Sequence, residues 1–157
     1  MKKLKLYIET STWNFIFADD APEKRDLTHE FFSVVKKGVY DIFVSEIVTN
    51  EIFRASLEKR HKLMKEIDKY QPIQLETNDE MRRLAQAYME AKIVPAKKIE
   101  DALHVAIATA HGLDAVISWN FDHLANLRKA DSFNGVNMTY GYSKRIEIVT
   151  PMEVSRV

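Results

Sequence analysis

The stretch that decides the fold reads Ile99-Glu100-Asp101-Ala102-Leu103-His104-Val105-Ala106-Ile107-Ala108-Thr109-Ala110-His111, then Gly112, and shortly afterwards Ala115-Val116-Ile117-Ser118. The first part is the most apolar helical segment of the chain, and Gly112 is a typical helix stop. The second part is a short apolar run of the kind that forms a buried strand. A helix of this character leading into a buried strand is typical of an α/β domain.

The same alternation of helix and strand continues in both directions along the chain. Further strands are predicted at residues 4–8, 40–45, 73–75 and 146–149. Further helices are predicted at residues 23–37, 46–56 and 57–70, from the N-cap Asn78 to Ala91, and as a terminal turn that begins at Thr150. Strands that alternate with helices predict a parallel sheet covered by helices on both faces.

The composition excludes several classes of protein. A chain of 157 residues fits one domain, which we take as residues 1–157. The 23 basic and 23 acidic residues give zero net charge, so any contact with nucleic acid would need a local patch. The absence of cysteine excludes disulfides, thiolate zinc sites and cysteine nucleophiles. No signal peptide is recognisable and no run approaches the roughly 20 apolar residues of a membrane span, so we expect a cytoplasmic protein without membrane association.

Three acidic residues occupy positions that an apolar core would exclude. Glu9 closes the first predicted strand, Glu51 interrupts the apolar stripe of the helix at 46–56, and Asp101 opens the helix at 99–111. Burial of a carboxylate costs several kcal/mol unless the charge is paired. A shared divalent cation can hold several carboxylates together. We therefore hypothesise a metal-dependent hydrolase of phosphodiesters.

Other polar residues follow a second strand. In open parallel sheets, ligand sites form beyond the carboxyl ends of the strands, where the strand order reverses. Glu9 follows the first strand, and Asn120 and Asp122 follow the strand at 115–118, so both groups could lie at one edge of the sheet. Asp101 reaches the same edge if its helix runs antiparallel to the strand that follows it.

Five segments resemble the motifs of PIN-domain ribonucleases, and they span nearly the whole chain in the expected order. The family's opening strand resembles Tyr7-Ile8-Glu9-Thr10-Ser11, and its second motif resembles Val44-Ser45-Glu46-Ile47-Val48-Thr49-Asn50-Glu51-Ile52. Its third motif, the most specific of the set, resembles Glu100-Asp101-Ala102-Leu103-His104-Val105-Ala106-Ile107-Ala108. Its fourth motif resembles Ser118-Trp119-Asn120-Phe121-Asp122, and its last strand resembles Ile148-Val149-Thr150-Pro151.

The resemblance implies a three-layer α/β/α sandwich with a central parallel sheet, whose acidic cluster binds Mg²⁺ or Mn²⁺ and hydrolyses RNA. It places Glu9, Glu51 and Asp101 at catalytic, metal-binding positions and Asn120 at the fourth such position. Asp122 is a further candidate metal ligand, which could compensate for the neutral Asn120. Glu9 stands where the family usually has Asp, which moves the carboxylate one methylene further from the backbone.

Many small members of this family are VapC-type toxins that are neutralised by an antitoxin made beside them. The resemblance therefore implies an endoribonuclease with RNA as its substrate and a cognate antitoxin protein as its partner. Hydrolysis by the family's usual course leaves a 3′-hydroxyl and a 5′-phosphate. We also expect a homodimer.

Two other classes of function are weighed against this one. A catalytically degenerate PIN-like binding or scaffold module stays open because of Glu9 and Asn120. A Rossmann-like nucleotide-binding enzyme is disfavoured, since the chain has no G-x-G-x-x-G or Walker-type loop. Taken singly, Glu51 could pair with Arg54 on the helix surface, and the helix dipole alone explains Asp101.

Several neighbouring residues are left out of the predicted site. His104 and His123 are interpreted as structural, because a histidine in such a position is more often a packed or hydrogen-bonded core residue. The aromatic residues Trp13, Phe15 and Phe17 follow Glu9 and could stack on a base, but we interpret them as core.

Overall fold

A five-stranded sheet forms the centre of the fold, and all four of its strand pairings are parallel. The structure is a computed structural model, and it describes residues 2–154. The strands are β1 (Leu4–Ile8), β2 (Tyr40–Ser45), β3 (Ile73–Leu75), β4 (Ala115–Ile117) and β5 (Glu147–Val149), in the order β3-β2-β1-β4-β5. The predicted parallel sheet is therefore confirmed.

Helices cover the sheet on both sides. They are α1 (Thr10–Asn14), α2 (Pro22–Lys36), α3 (Glu46–Ile52), α4 (Leu57–Tyr70), α5 (Asp79–Glu90), α6 (Ile99–Ala110), α7 (Leu127–Thr139) and α8 (Pro151–Val154), with a 3-10 turn at Phe15–Phe17. Contacts group α2 with α4, and α5 with α6 and α7. For parallel strands in the order β3-β2-β1-β4-β5, the usual right-handed crossovers put these two groups on opposite faces. This arrangement is the predicted three-layer α/β/α sandwich.

Aromatic contacts hold each helical layer together. On one face, the Phe32 ring of α2 lies between Trp13 of α1 and Tyr70 of α4, with centroid distances of 5.0 and 4.8 Å. On the other face, Tyr88 of α5 meets Phe133 of α7 edge to face at 4.8 Å. Such pairs contribute about 0.5–1.5 kcal/mol beyond the area that they bury.

The strand order creates one place suited to a site. The central strand β1 is flanked by β2 and β4, and the chain progresses outward from β1 in one direction through β3 and then in the other through β5. The reversal lies between β1 and β4, whose carboxyl ends meet at the same edge of the sheet. Side chains that follow Ile8 and Ile117 are therefore brought together.

Most predicted elements appear within a residue or two of their expected bounds, but one predicted helix is shorter and two helices were not predicted. The helix predicted at 46–56 ends at Ile52, because the chain turns and the Ser56 hydroxyl instead accepts the Lys59 N–H as the cap of α4. Neither α1 nor α7 was predicted. The domain predicted over 1–157 includes residue 1 and residues 155–157, which lie outside the described residues. No helix between residues 2 and 154 is long and apolar enough to cross a membrane.

Candidate metal centre

Glu9 lies at the end of β1 and is held firmly by hydroxyl groups. Its Oε1 accepts hydrogen bonds from Ser11 Oγ at 2.5 Å and from Ser118 Oγ at 2.6 Å. Its Oε2 accepts the Ser11 N–H at 3.1 Å, which makes Glu9 the N-cap of α1. The residue is only 4% exposed. Glu9 is therefore a buried and oriented carboxylate at the switch point, not a solvated strand end.

Glu51 projects from α3 towards the same edge. The helix begins directly after β2, where the Ser45 hydroxyl accepts the Ile47 N–H as its cap. Glu51 Oε1 accepts a hydrogen bond from Thr10 Oγ1 at 2.7 Å and lies 2.5 Å from His104 Nε2. Burial raises the pKa of Glu51, but the hydrogen bonds and the charge of His104 outweigh it, so the pKa lies below its ordinary value.

His104 connects Glu51 to the core of the domain. Its ring is fully buried, and its Nδ1 lies 2.6 Å from the Tyr7 hydroxyl, which lies 2.8 Å from Ser45 Oγ. Burial lowers the pKa of His104, but the hydrogen bond to Glu51 and the surrounding negative charges outweigh it and raise the pKa above its ordinary value. His104 therefore takes up a proton more readily than its burial alone would allow, because it lies next to Glu51.

Asp101 stands beside these groups in the first turn of α6. Its Oδ2 lies 3.1 Å from His123 Nδ1 and 3.5 Å from Asn120 Nδ2. Burial, and then the negative charge of Glu9, raise the pKa of Asp101 above its ordinary value, with Glu51 adding to the effect. Like charges therefore converge on Asp101, and a cation bound among them would relieve their repulsion.

The tightest group of potential ligands is Glu9, Glu51 and His104. Among the histidine and acidic residues at positions 2–154, these three alone offer ligand atoms that all lie within 4.8 Å of one another. Asp101 borders this trio without belonging to it. The structure thus brings Glu9 and Glu51 together, with Asp101 and its neighbour Asn120 alongside.

Asn120 and Asp122 differ in how closely they approach the cluster. Asn120 follows β4, and its side-chain oxygen accepts the His123 N–H at 3.1 Å while its amide nitrogen faces Asp101. Asp122 is exposed on the following turn and is not part of the compact trio. Of the predicted ligands, Asp122 therefore has the least structural support.

Two histidines that we excluded from the site contact its acids. His104 follows Asp101 by three residues, a spacing that places both side chains on the same face of a helix. That spacing is the signal that could have identified it. His123 comes from the turn after β4, and its contact with Asp101 depends on how that turn folds, so no periodicity in the sequence could have revealed it.

The chemistry of these groups fits a divalent cation that prefers oxygen. Carboxylates suit Mg²⁺ and Mn²⁺, and an imidazole nitrogen is better tolerated by Mn²⁺ than by Mg²⁺. The buried cluster could therefore hold such a cation between Glu9 and Glu51, with Asp101 adjoining. The serine and threonine hydroxyls that contact the two glutamates would orient them for this task.

Comparisons with known proteins bear on the fold. No protein-family profile matches the chain, and no curated protein matches it by sequence. Among solved structures, it is similar to a chain of VapBC2 from Rickettsia felis bound to a promoter DNA fragment, with 11% identity, a TM-score of 0.57, and coverage of 92% of this chain and 98% of that one. It is also similar to a chain of VapBC-5 from Mycobacterium tuberculosis, with 15% identity, a TM-score of 0.51, and coverage of 93% and 98%.

A third similar structure is FitAcB from Neisseria gonorrhoeae, with 12% identity, a TM-score of 0.50, and coverage of 93% of this chain and 97% of that one. These identities are low, so the likeness establishes the fold and not the activity. Over 92–93% of its length, the chain shares the three-layer α/β/α, PIN-like fold with these structures, as the sequence motifs predicted.

Proposed function

We propose that this protein is a Mg²⁺- or Mn²⁺-dependent endoribonuclease of the VapC type. The observation that carries the proposal is the convergence of Glu9 and Glu51, with Asp101 alongside, at the switch point of a PIN-like sheet. An acidic cluster of this kind is unfavourable in a core, where it must be desolvated, and a cation between the carboxylates offsets that cost. The fold likeness to toxin–antitoxin proteins supports the same conclusion.

The acidic residues and their neighbours would each have a different role in cation binding. Glu9, Glu51 and Asp101 would hold the cation, and Asn120 would complete the polar wall beside Asp101. When bound, the cation would supply charge stabilisation at a phosphate and a more acidic water. Ser11 and Ser118 fix the Glu9 carboxylate. The Asp that is usual in the family at this position has a shorter side chain, so its carboxylate would lie closer to the backbone.

The remaining hydrogen bonds would control the position and charge of the other two acids. Thr10 and His104 hold Glu51 from two sides. The raised pKa of Asp101, caused by burial and by Glu9, lets it keep a proton more readily than an ordinary Asp in the absence of a cation. Hydrolysis of the RNA phosphodiester would leave a 3′-hydroxyl and a 5′-phosphate.

The same hypothesis, a VapC-type endoribonuclease, implies the binding partners. The substrate would be RNA, and a cognate antitoxin protein would restrain the activity, in line with the toxin–antitoxin complexes that share the fold. We propose a homodimer acting in the cytoplasm. Asp122 would take a secondary part at most, because it is exposed on the turn beyond Asn120.

The test is cleavage of a labelled single-stranded RNA by the purified chain, first in EDTA and then with added Mn²⁺. We expect cleavage only with the cation, and its loss in Asp101→Asn, Glu9→Gln and Glu51→Gln. Glu46→Gln is the matched control, because Glu46 is an exposed acid on the same helix as Glu51. Equal cleavage by Asp101→Asn and wild type would refute the assignment, as would cleavage that persists in EDTA.

A second candidate is a PIN-like binding or scaffold module without catalysis. One observation favours it: each acid already has partners within the protein. Glu9 is bound by two serines, Glu51 by Thr10 and His104, and Asp101 by His123. Such internal pairing reduces the need for a cation. A scaffold would show no Mn²⁺ binding that depends on these carboxylates.

A further inference from the structure

An aromatic cluster lies beside the acidic residues and has no part in the roles assigned above. The Trp119 ring packs against Phe15 and Phe121, with centroid distances of 5.9 and 6.1 Å. The Lys24 ammonium stands 5.7 Å from the centroids of Phe15 and Trp119 and 5.1 Å from that of Phe121. These four residues, Phe15, Lys24, Trp119 and Phe121, are called the aromatic ledge below.

The ledge shares its supports with the acidic cluster. The Trp119 N–H donates to Ser11 Oγ at 2.9 Å, and the same Ser11 hydroxyl donates to Glu9. Asn120 lies between Trp119 and Phe121 in the chain. A group resting on the ledge would therefore sit next to the proposed cleavage site.

The turn that carries Phe121 is fixed by hydrogen bonds. The Asn120 carbonyl accepts the N–H groups of Leu124 and Ala125 at 3.1 and 2.8 Å, and the Phe121 carbonyl accepts from Asn126 Nδ2 at 2.6 Å. The backbone that carries Phe121 is consequently held in place before any ligand arrives. A preorganised contact of this kind loses little entropy on binding.

Exposure divides the ledge into a support and a contact surface. Trp119 is 6% exposed and donates its indole N–H to Thr28, whereas Phe121 is 45% exposed. Within residues 2–154, the Lys24 ammonium makes no ion pair with a carboxylate. An accessible ring beside an unpaired cation suits a ligand that has both a flat base and a phosphate.

We propose that the aromatic ledge binds one unpaired nucleotide of a single-stranded RNA, with its base stacked on Phe121 and its phosphate next to Lys24. The inference rests on the proposed function, which supplies RNA as the substrate class. Because the chain has no net charge, it needs such a local cation to hold a polyanion near a cluster of acids. A duplex would not fit, because its bases are stacked on each other and unavailable.

The test is fluorescence anisotropy of a labelled single-stranded RNA with the intact chain in EDTA, where no cation-dependent cleavage occurs. We expect Phe121→Ala to weaken binding about tenfold, and Phe121→Trp to retain it, since stacking is lost in the first and kept in the second. Lys24→Met should weaken binding and also reduce its dependence on salt. The controls are Tyr140→Ala, another exposed aromatic residue, and Lys36→Met, an exposed lysine at the other end of α2.

The outcomes separate this inference from the proposed function. Loss of binding in Phe121→Ala with retention in Tyr140→Ala supports the ledge, even if the chain cleaves no RNA with Mn²⁺. Binding by Phe121→Ala equal to that of wild type overturns the inference and leaves the ledge as a surface for a protein partner. Phe121→Leu removes the aromatic ring but keeps an apolar side chain, so RNA binding by Phe121→Leu as tight as that by Phe121→Trp also overturns the inference. Binding of duplex RNA as tight as that of single-stranded RNA overturns it as well. Thermal unfolding of each variant shows whether a loss of binding reflects a loss of fold.

Discussion

His104 Nε2 lies 2.5 Å from Glu51 Oε1, and on its other side His104 Nδ1 lies 2.6 Å from the Tyr7 hydroxyl. The histidine thus joins an acid of the candidate metal centre to the middle of the central strand. It also places a group whose pKa is raised by Glu51 where a cation would otherwise balance that carboxylate. The stability of the core and the charge of the site are therefore linked through one side chain.

Removal of the Tyr7 hydroxyl should test this link. In Tyr7→Phe, both Ser45 Oγ and His104 Nδ1 lose a buried partner, so we expect the free energy of unfolding to fall by about 1–3 kcal/mol. Urea denaturation measures the change. Tyr40→Phe is the matched control, because its half-buried hydroxyl makes only a peripheral bond of 3.3 Å to the Val154 carbonyl. Equal losses in the two variants would show that the Tyr7 network adds nothing special.

Neutralisation of Asp101 should not harm the fold. Burial and the charge of Glu9 disfavour the ionised carboxylate, as the raised pKa of Asp101 shows, so Asp101→Asn relieves repulsion while keeping the shape. In EDTA near neutral pH, the unfolding midpoint should be unchanged or higher. Glu23→Gln, in the exposed first turn of α2, isolates the effect of losing a helix-dipole charge. A drop of more than about 1 kcal/mol in Asp101→Asn alone would mean that the acid is a structural anchor.

The helix α7, which was not predicted from the sequence, is anchored to the segment before β5 by the buried side-chain amide of Asn134. Asn134 donates from Nδ2 to the carbonyls of Ala130 and Ile146, and its Oδ1 accepts the Ile146 N–H at 2.9 Å. Asn134→Leu would leave the Ile146 groups without these partners, so we expect a loss of about 1–3 kcal/mol in the free energy of unfolding. Ser132→Ala, at an exposed position on the same helix, should change it little. Wild-type stability in Asn134→Leu would contradict this account of α7.

Asp114 should give the fold a pH-dependent contribution. Burial raises the pKa of Asp114, but its bonds to Lys144 and to the Lys5 N–H outweigh it, so the folded pKa lies below the ordinary value. A lowered acid pKa stabilises the fold above the unfolded value, about 3.9, and that stabilisation is lost as the pH falls through the folded pKa. The difference in stability between wild type and Asp114→Asn should therefore be largest near neutral pH and shrink in acid.

Urea unfolding at neutral and acidic pH measures this difference. Lys144→Met should show the same trend with a smaller amplitude, because the Lys5 N–H still binds Asp114 in that variant. A difference between wild type and Asp114→Asn that grows as the pH falls would contradict the direction of the shift.

Elements with strong apolar patterns could be predicted from the sequence. The strand β1 buries its last three residues and the helix α6 buries eight of its twelve, so their runs of apolar residues identify them directly. The helix α7 escaped prediction because two of its four buried residues, Asn134 and Asn137, are polar, and Gly135 lies between them. Its inward face therefore shows no apolar stripe at helical spacing. Only the tertiary hydrogen bonds of those amides reveal why they are buried.

The candidate site was predictable to a similar degree. Glu9, Glu51 and Asp101 stand out because acids at strand ends and in apolar stripes conflict with burial, and the strand order explains why they meet. The side chains that form hydrogen bonds with these acids could not be identified from the sequence. His104 is consistent with an ordinary core histidine in the sequence, and only the packing of α3 against α6 brings it to Glu51. Whether these acids bind metal stays a prediction.

The central claim is that Glu9 and Glu51 hold a divalent cation, and calorimetric titration with Mn²⁺ tests it most directly. We predict carboxylate-dependent binding to wild type, unchanged binding to the exposed control Glu46→Gln, and loss of most binding in Glu9→Gln, whose neutral amide attracts a cation far less. Glu9→Asp should keep some binding but change the preference between Mg²⁺ and Mn²⁺, because Mg²⁺ requires stricter geometry. Wild-type affinity in Glu9→Gln, or no binding to wild type, would contradict the account and favour the non-catalytic module.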